Sequence, residues 1–243
     1  MKKSILFTCL VLYSFSVISS VSGYCSLCAG HIACNTTGDL SIFCPPDARV
    51  IPLGAQEINV LLDVHNGYRN TVASGLTPGL SSAPASRMMA LSWDFELAWL
   101  AELNVMECRM DHDQCRSTVT FPLAGQNIYM HGTTGEFGPI ENQLRGAVDL
   151  WYREYTSTTV ADIRNCCGGE RISAIGHFLQ MVQDRAIRIG CAAARFTTVQ
   201  WATTLVTCNY SFGNVLNQAV YQIGNPGSAC RTRDSTFPNL CSA

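Results

Sequence analysis

Residues 187–212 read IRIGCAAARFTTVQWATTLVTCNYSF. Two β-type runs, 187–196 and 203–212, stand either side of a short connection. If Cys191 faces Cys208 across antiparallel strands, Phe196 opposes Thr203 and residues 197–202 form the loop. That register closes without strain and favours a Cys191–Cys208 cross-strand disulfide.

Upstream of this hairpin the periodicity is helical. From Glu57, EINVLLDVHNGYRNTVASG places Ile58, Leu61, Leu62, His65, Tyr68 and Val72 on one face, and Gly75 can end the helix. His65, on an apolar stripe, reads as a buried, hydrogen-bonded imidazole rather than a ligand. A second helix, capped by Ser92 or Asp94, runs through ELAWLAELNVMEC with Leu97, Leu100, Ala101, Val105 and Cys108 inward. It delivers His112 between Cys108 and Cys115. A third helix, ENQLRGAVDLWYREY, carries Leu144, Val148, Trp151 and Tyr155 on one stripe, with Glu154 beside it at the edge of a cavity.

Thirteen cysteines occur in 243 residues. Cys9 lies in an N-terminal apolar segment that follows Lys2-Lys3 and ends in small residues, so residues 1–23 read as a secretory signal peptide. The other twelve fit a protein exported to an oxidising compartment and stapled by disulfides. No stretch is long and apolar enough to span a membrane. Without the leader the chain has fourteen arginines against eighteen acidic residues, a net charge of −4, and no lysine. Schiff-base lysine chemistry is thereby excluded, and scattered arginines on an acidic chain make nucleic acid an unsuitable partner. Residues 24–52, with Cys25, Cys28, Cys34 and Cys44 among Gly, Asn and Pro, read as a disulfide-tied irregular extension ahead of the main domain, 53–243. Cys25 and Cys28 have no second pair at zinc-finger spacing, so disulfides are expected there rather than metal.

The segments CRMDHDQCR, AGQNIYM, WYREY, GHFLQMV, IGCAAARF and CNYSFGNVLNQAVY stand in the order found in the superfamily of cysteine-rich secretory proteins, antigen five and plant pathogenesis-related proteins. The similarity spans nearly the whole chain after the leader. The CSLCAGHIACN start and PNLCS finish more narrowly resemble insect antigen-five-related proteins of venom and saliva. This resemblance implies an α+β fold, a three-layer α–β–α sandwich with a small antiparallel sheet. It also implies a cleft of two His and two Glu that in many members holds a divalent metal. His112 and His177 match the histidines and Glu154 one glutamate, while the other glutamate falls on Gln126. Zinc or a similar divalent cation would be weakly held there, because Gln126 can hydrogen-bond but adds no negative charge. The metal-free reading is a polar network of the same four residues. The implied disulfides are Cys25–Cys34, Cys28–Cys115, Cys44–Cys108 and Cys191–Cys208. Cys166, Cys167, Cys230 and Cys241 keep three formal connectivities, of which the vicinal Cys166–Cys167 bond is the least favoured.

Catalysis has little support. There is no GxSxG elbow and no HExxH, Gln126 removes one acid/base candidate, and every cysteine beyond the leader can be paired. The chain therefore reads as a secreted, extracellular, monomeric, non-enzymatic allergen-like protein. It is expected to act by binding a host protein or a small apolar ligand such as a lipid. A weak metal-dependent hydrolase is the alternative. Two departures from the superfamily stand out: Gln183 where most members have Trp, and Gly213-Asn214 reached one residue early. Sequons begin at Asn35, in the irregular extension, and Asn209, within a β-type run.

Overall fold

The computed structural model describes residues 23–166 and 168–242. Nearly all of the expected leader, and Cys167, fall outside them. The elements are β1 (Arg49–Ile51), α1 (Ala55–Ala73), β2 (Ala85–Arg87), β3 (Ser92–Trp93), α2 (Phe95–Val105), β4 (Gly125–Thr133) and α3 (Ile140–Arg153). A 3-10 turn (Glu154–Ser157) follows, then α4 (Val160–Arg164), α5 (Glu170–Met181), β5 (Arg188–Thr198), β6 (Trp201–Tyr210) and β7 (Gln222–Ile223).

β5 and β6 form the centre of a five-stranded sheet ordered β1-β5-β6-β4, with β3 added parallel to β5. Cys191 sits opposite Cys208 and Phe196 opposite Thr203. The pairing continues to Thr198 and Trp201, so the hairpin turn is residues 199–200 and not the six-residue loop expected at 197–202. Threonines and an aromatic at the turn flanks favour extended pairing, and two-residue turns match the twist of a hairpin.

Side chains alternate between two apolar environments, as period 2 requires. Ile189, Cys191, Ala193, Val206, Cys208 and Tyr210 join the large core under α1, α3 and α5. Ala192, Ala194, Phe196 and Leu205 meet Ala101 and Val105 of α2 on the opposite face. The result is the three-layer α–β–α arrangement. Gly190 lets the first turn of α2 seat directly on β5, since a Cβ there would lie 2.1 Å from Ala98 N and 2.4 Å from Asp94 O. Asp94, not Ser92, caps α2 by accepting the Leu97 N–H at 2.9 Å. The helix stops at Val105, so Cys108 lies beyond it with a φ of 53°.

The N-terminal extension is bound to this body by Cys28–Cys115 and Cys44–Cys108, with Cys25–Cys34 internal to it. It is not irregular throughout, because its last residues form β1 on the edge of β5. Cys230 pairs with Cys241, one of the pairings that spacing leaves open. The reason lies in the path of the tail: Cys241 lines up beside residues 88–90, its N–H bonding Met88 O at 2.8 Å and its carbonyl accepting from Ala90 N at 2.8 Å. Cys166 is buried in the main core.

Two polar side chains of α1 sit in that core. His65 is fully buried; its Nδ1–H donates to Leu61 O at 2.7 Å and its Nε2 accepts the Tyr210 O–H at 2.9 Å. Burial holds its pKa down to about 4. Arg69, also fully buried, spends all five N–H donors on four backbone carbonyls: Met89, Met181, Gln183 and Ala186, at 2.6–3.2 Å. Burial lowers its pKa to about 10, partly offset by nearby Asp184, so it stays charged at neutral pH. Gln183, polar where superfamily members pack a Trp, contributes its carbonyl to this set while its side-chain oxygen faces Arg185.

Two outcomes follow. Arg69→Met leaves the Met89, Met181 and Ala186 carbonyls without their donor, while Gln183 O keeps the Ala186 N–H, and is expected to lower unfolding free energy by on the order of 3 kcal/mol, with Arg69→Lys recovering only part, measured by urea denaturation. His65 is neutral in the fold but takes a proton in the unfolded chain below about pH 6.5. Stability should therefore be complete above pH 6.5 and fall by about 3 kcal/mol as pH drops to about 4. A His65→Gln variant should lack that component in a pH series of unfolding curves.

Candidate functional site

His112 lies in the loop between α2 and β4, which Cys108 and Cys115 tether to the N-terminal extension. Gln126 is the second residue of β4, opposite Asn209 of β6. Glu154 begins the 3-10 turn where α3 ends, and His177 stands on α5. The fold brings His112, Gln126 and His177 into one cleft of about 290 Å³, whose walls include Asn127, Ser173, Gly176 and Asn214. Glu154 does not line this cavity; it stands behind His177.

The orientation of each imidazole follows from its neighbours. Asn209 donates to Leu97 O at 3.2 Å, so its amide oxygen is turned to accept Gln126 Nε2 at 3.1 Å. The same Gln126 nitrogen donates to Asp113 Oδ2 at 2.6 Å. Gln126 Oε1 is thus aimed at the Asp113 N–H, 3.2 Å away, and at His112 Nδ1, 2.9 Å away. His112 must carry its proton on Nδ1, which leaves the Nε2 lone pair free. Burial pushes the His112 pKa down, favouring this neutral form.

His177 obeys the same logic. Its Nδ1 lies 2.6 Å from Glu154 Oε1, and the other carboxylate oxygen accepts the Phe178 N–H at 3.0 Å. A carboxylate partner places the proton on Nδ1 and again frees Nε2. The His177 ring stacks on Trp151 at 6.3 Å between centroids. Its backbone carbonyl accepts Asn127 Nδ2 at 3.0 Å, and that amide also reaches the Tyr210 hydroxyl at 3.3 Å. The buried His65–Tyr210 pair therefore connects α1 to the helix that carries His177.

Gln126 has a reason to be Gln in this setting. Its amide donates to two oxygens, one of them the Asp113 carboxylate, which also accepts from Asn104 at 2.6 Å and pairs with Arg116 at 3.4 Å. A glutamate there would set two carboxylates against each other. Sequence reasoning missed Asp113, Asn104, Asn127 and Asn209 as supports. Asp113 adjoins His112 in MDHDQC, but the other three are spread over three elements.

Asn209 is fully buried with both ends of its amide engaged, so it is withdrawn as a glycosylation candidate; Asn35 is exposed, with a φ of 62°. A second grouping of ligand atoms, Cys28, His31 and Cys115, falls within 4.8 Å. Its two sulfurs are joined as a disulfide, and His31 accepts from Ala33 N and donates to Ser117 O, so it offers no donor set. No described helix is long and apolar enough to cross a membrane.

Residues 62–210 match the model of the cysteine-rich secretory protein family. The chain is 43% identical over 168 residues to "Antigen 5 like allergen Cul n 1" of Culicoides nubeculosus, covering 68% of this chain and 74% of the relative. It is 31% identical over 229 residues to "Venom allergen-1" of Aedes aegypti, covering 92% and 89%. Among solved structures it resembles NaASP2, crystallised with Zn2+, with a TM-score of 0.66 and 25% identity over 82% of this chain and all of that one. The alternating core, the His/Glu/Gln cleft and these likenesses agree: the chain belongs to the cysteine-rich secretory protein (CAP) family and is similar to its insect antigen-five allergens.

Proposed function

We propose that this is a secreted, non-enzymatic binding protein of the antigen-five type, delivered in saliva or venom and directed at a host factor or a small apolar ligand. We further propose that its cleft holds a divalent metal weakly. The observation that carries the metal reading is the pair of Nδ1-anchored imidazoles, His112 and His177, whose free Nε2 atoms share one cavity. That donor set suits zinc, with Glu154 and Gln126 orienting the rings. When bound, the ion would add positive charge to a cleft able to receive an anionic group of a partner. The zinc in the NaASP2 crystal structure supports the same reading.

Binding is favoured over hydrolysis by what surrounds the histidines. Among the described residues no serine hydroxyl is hydrogen-bonded to either ring, and the Nδ1 of His112 faces an amide rather than a carboxylate. The nucleophile–base pairing of covalent hydrolases is not assembled. The insect relatives are named as allergens, and five disulfides fit an oxidising compartment, both of which support export. Asn35 is the glycan acceptor we propose.

Calorimetric titration of zinc into the disulfide-intact protein at neutral pH should show one saturable site that disappears in the His112→Ala, His177→Ala double variant. No binding in the wild type would leave the four residues as a structural network. Gln126→Glu should not improve the site. Its carboxylate would face Asp113, and we expect a loss of roughly 1–3 kcal/mol in unfolding free energy at pH 7, relieved in part by adding Asp113→Asn.

A further inference from the structure

At the edge of the sheet opposite the cleft, β5 is covered by two short strands that do not meet. β3 pairs with Arg188 and Ile189, and β1 pairs with residues 193–195, so neither strand covers the stretch of β5 between them. Above this gap lies a cavity of about 210 Å³, walled by Val50, Ile51, Leu53, Ile58, Trp93 and Trp99.

The outer wall comes from α2. Phe95, Ala98, Trp99 and Glu102 fall at i, i+3, i+4 and i+7, one stripe of that helix, and all four line the cavity. This stripe is distinct from the buried one, Leu97, Leu100, Ala101 and Asn104, which holds the helix to the sheet. Folding therefore does not require its aromatic character, and Phe95 is left 79% exposed at the rim. The wall is nonetheless rigid: Trp99 packs against Tyr24 at 5.5 Å, and the Tyr24 hydroxyl donates to Glu96 at 2.6 Å.

Charge selects the ligand. Glu102 is the one charged residue lining the cavity, and its carboxylate has no hydrogen-bond or ion-pair partner among the described residues. An unpaired carboxylate lining the same cavity as three aromatic side chains favours a cation with an aromatic body, through ion pairing and cation–π attraction. It disfavours a fatty acid, whose head group would meet like charge, and the volume is small for a long acyl chain. A lone carboxylate is also a poor metal site.

We propose that this notch binds a small aromatic monoamine, with the ring among Trp93, Phe95 and Trp99 and the ammonium at Glu102. The site is separate from the cleft and does not depend on metal there. The test is calorimetric titration with tryptamine at pH 7.4, alongside tryptophol and indole-3-propionate as neutral and anionic analogues and butylamine as a cation without a ring. We expect saturable one-to-one binding of tryptamine, at least about tenfold weaker binding of tryptophol and butylamine, and none of indole-3-propionate. Glu102→Gln should weaken tryptamine about tenfold while leaving the melting temperature unchanged, because Glu102 is exposed and unpartnered. Phe95→Ala should weaken it several-fold, and saturating zinc should leave it unaffected. Absence of saturable tryptamine binding, equal affinity in Glu102→Gln, equal or tighter binding of butylamine, or displacement by zinc would each overturn the proposal.

Discussion

The buried guanidinium of Arg69 is the constraint on which the rest of the molecule depends. It reaches from α1 to Met89 ahead of β3, to Met181 and Gln183 at the end of α5, and to Ala186 just before β5. A charge buried this deeply is tolerated only when every donor is matched, and here all five are. Cationic donors at the C-terminal end of α5 also complement the helix dipole. The gain is mainly geometric, because desolvating a charge offsets most of what its hydrogen bonds return. One side chain sets where α5 stops and where β5 begins, and so where His177 stands relative to the sheet.

The cleft inherits that geometry from both sides of the sheet. Leu97 on α2 orients Asn209, Asn209 orients Gln126, and Gln126 orients His112. From the other layer, the His65–Tyr210–Asn127 chain reaches the His177 backbone, and Glu154 holds its ring. Neither imidazole swings or changes tautomer without breaking its Nδ1 hydrogen bond. Such preorganisation is what the metal site proposed for the cleft would draw on. The aromatic notch lies beyond the opposite edge of the sheet, where β1 and β3 leave β5 bare, so a ligand there shares no lining residue with the cleft.

Some of this was legible in the residues. The hairpin register could be read because two cysteines and period-2 patterning leave one pairing that keeps the apolar residues inward. The turn length was misread because Thr197, Thr198 and Trp201 suit either a loop or a strand, and only their pairing partners decide. Arg69 left no trace, since its partners are backbone carbonyls that every residue possesses. The sequon at Asn209 falls in a β-type run, where a glycan is less favoured than at Asn35, and only its neighbours on β4 and α2 make it a buried support. The pairing of Cys230 with Cys241 could not be read from spacing, because the tail is positioned by backbone hydrogen bonds to residues 88–90.

The family resemblance named the four candidate cleft residues; the amino-acid sequence by itself determined the helices, the central hairpin and the disulfide-rich character. Each of those rests on local periodicity or on a side chain's own chemistry. Tertiary structure alone decided that both histidines present Nε2, that Gln126 is required by Asp113, and that Glu154 stands behind His177 rather than in the cavity. It also decided that one stripe of α2 closes a charged aromatic notch. These are properties of atoms brought together from distant elements, and a hydrogen bond's direction or a cavity's wall exists only once those elements are packed.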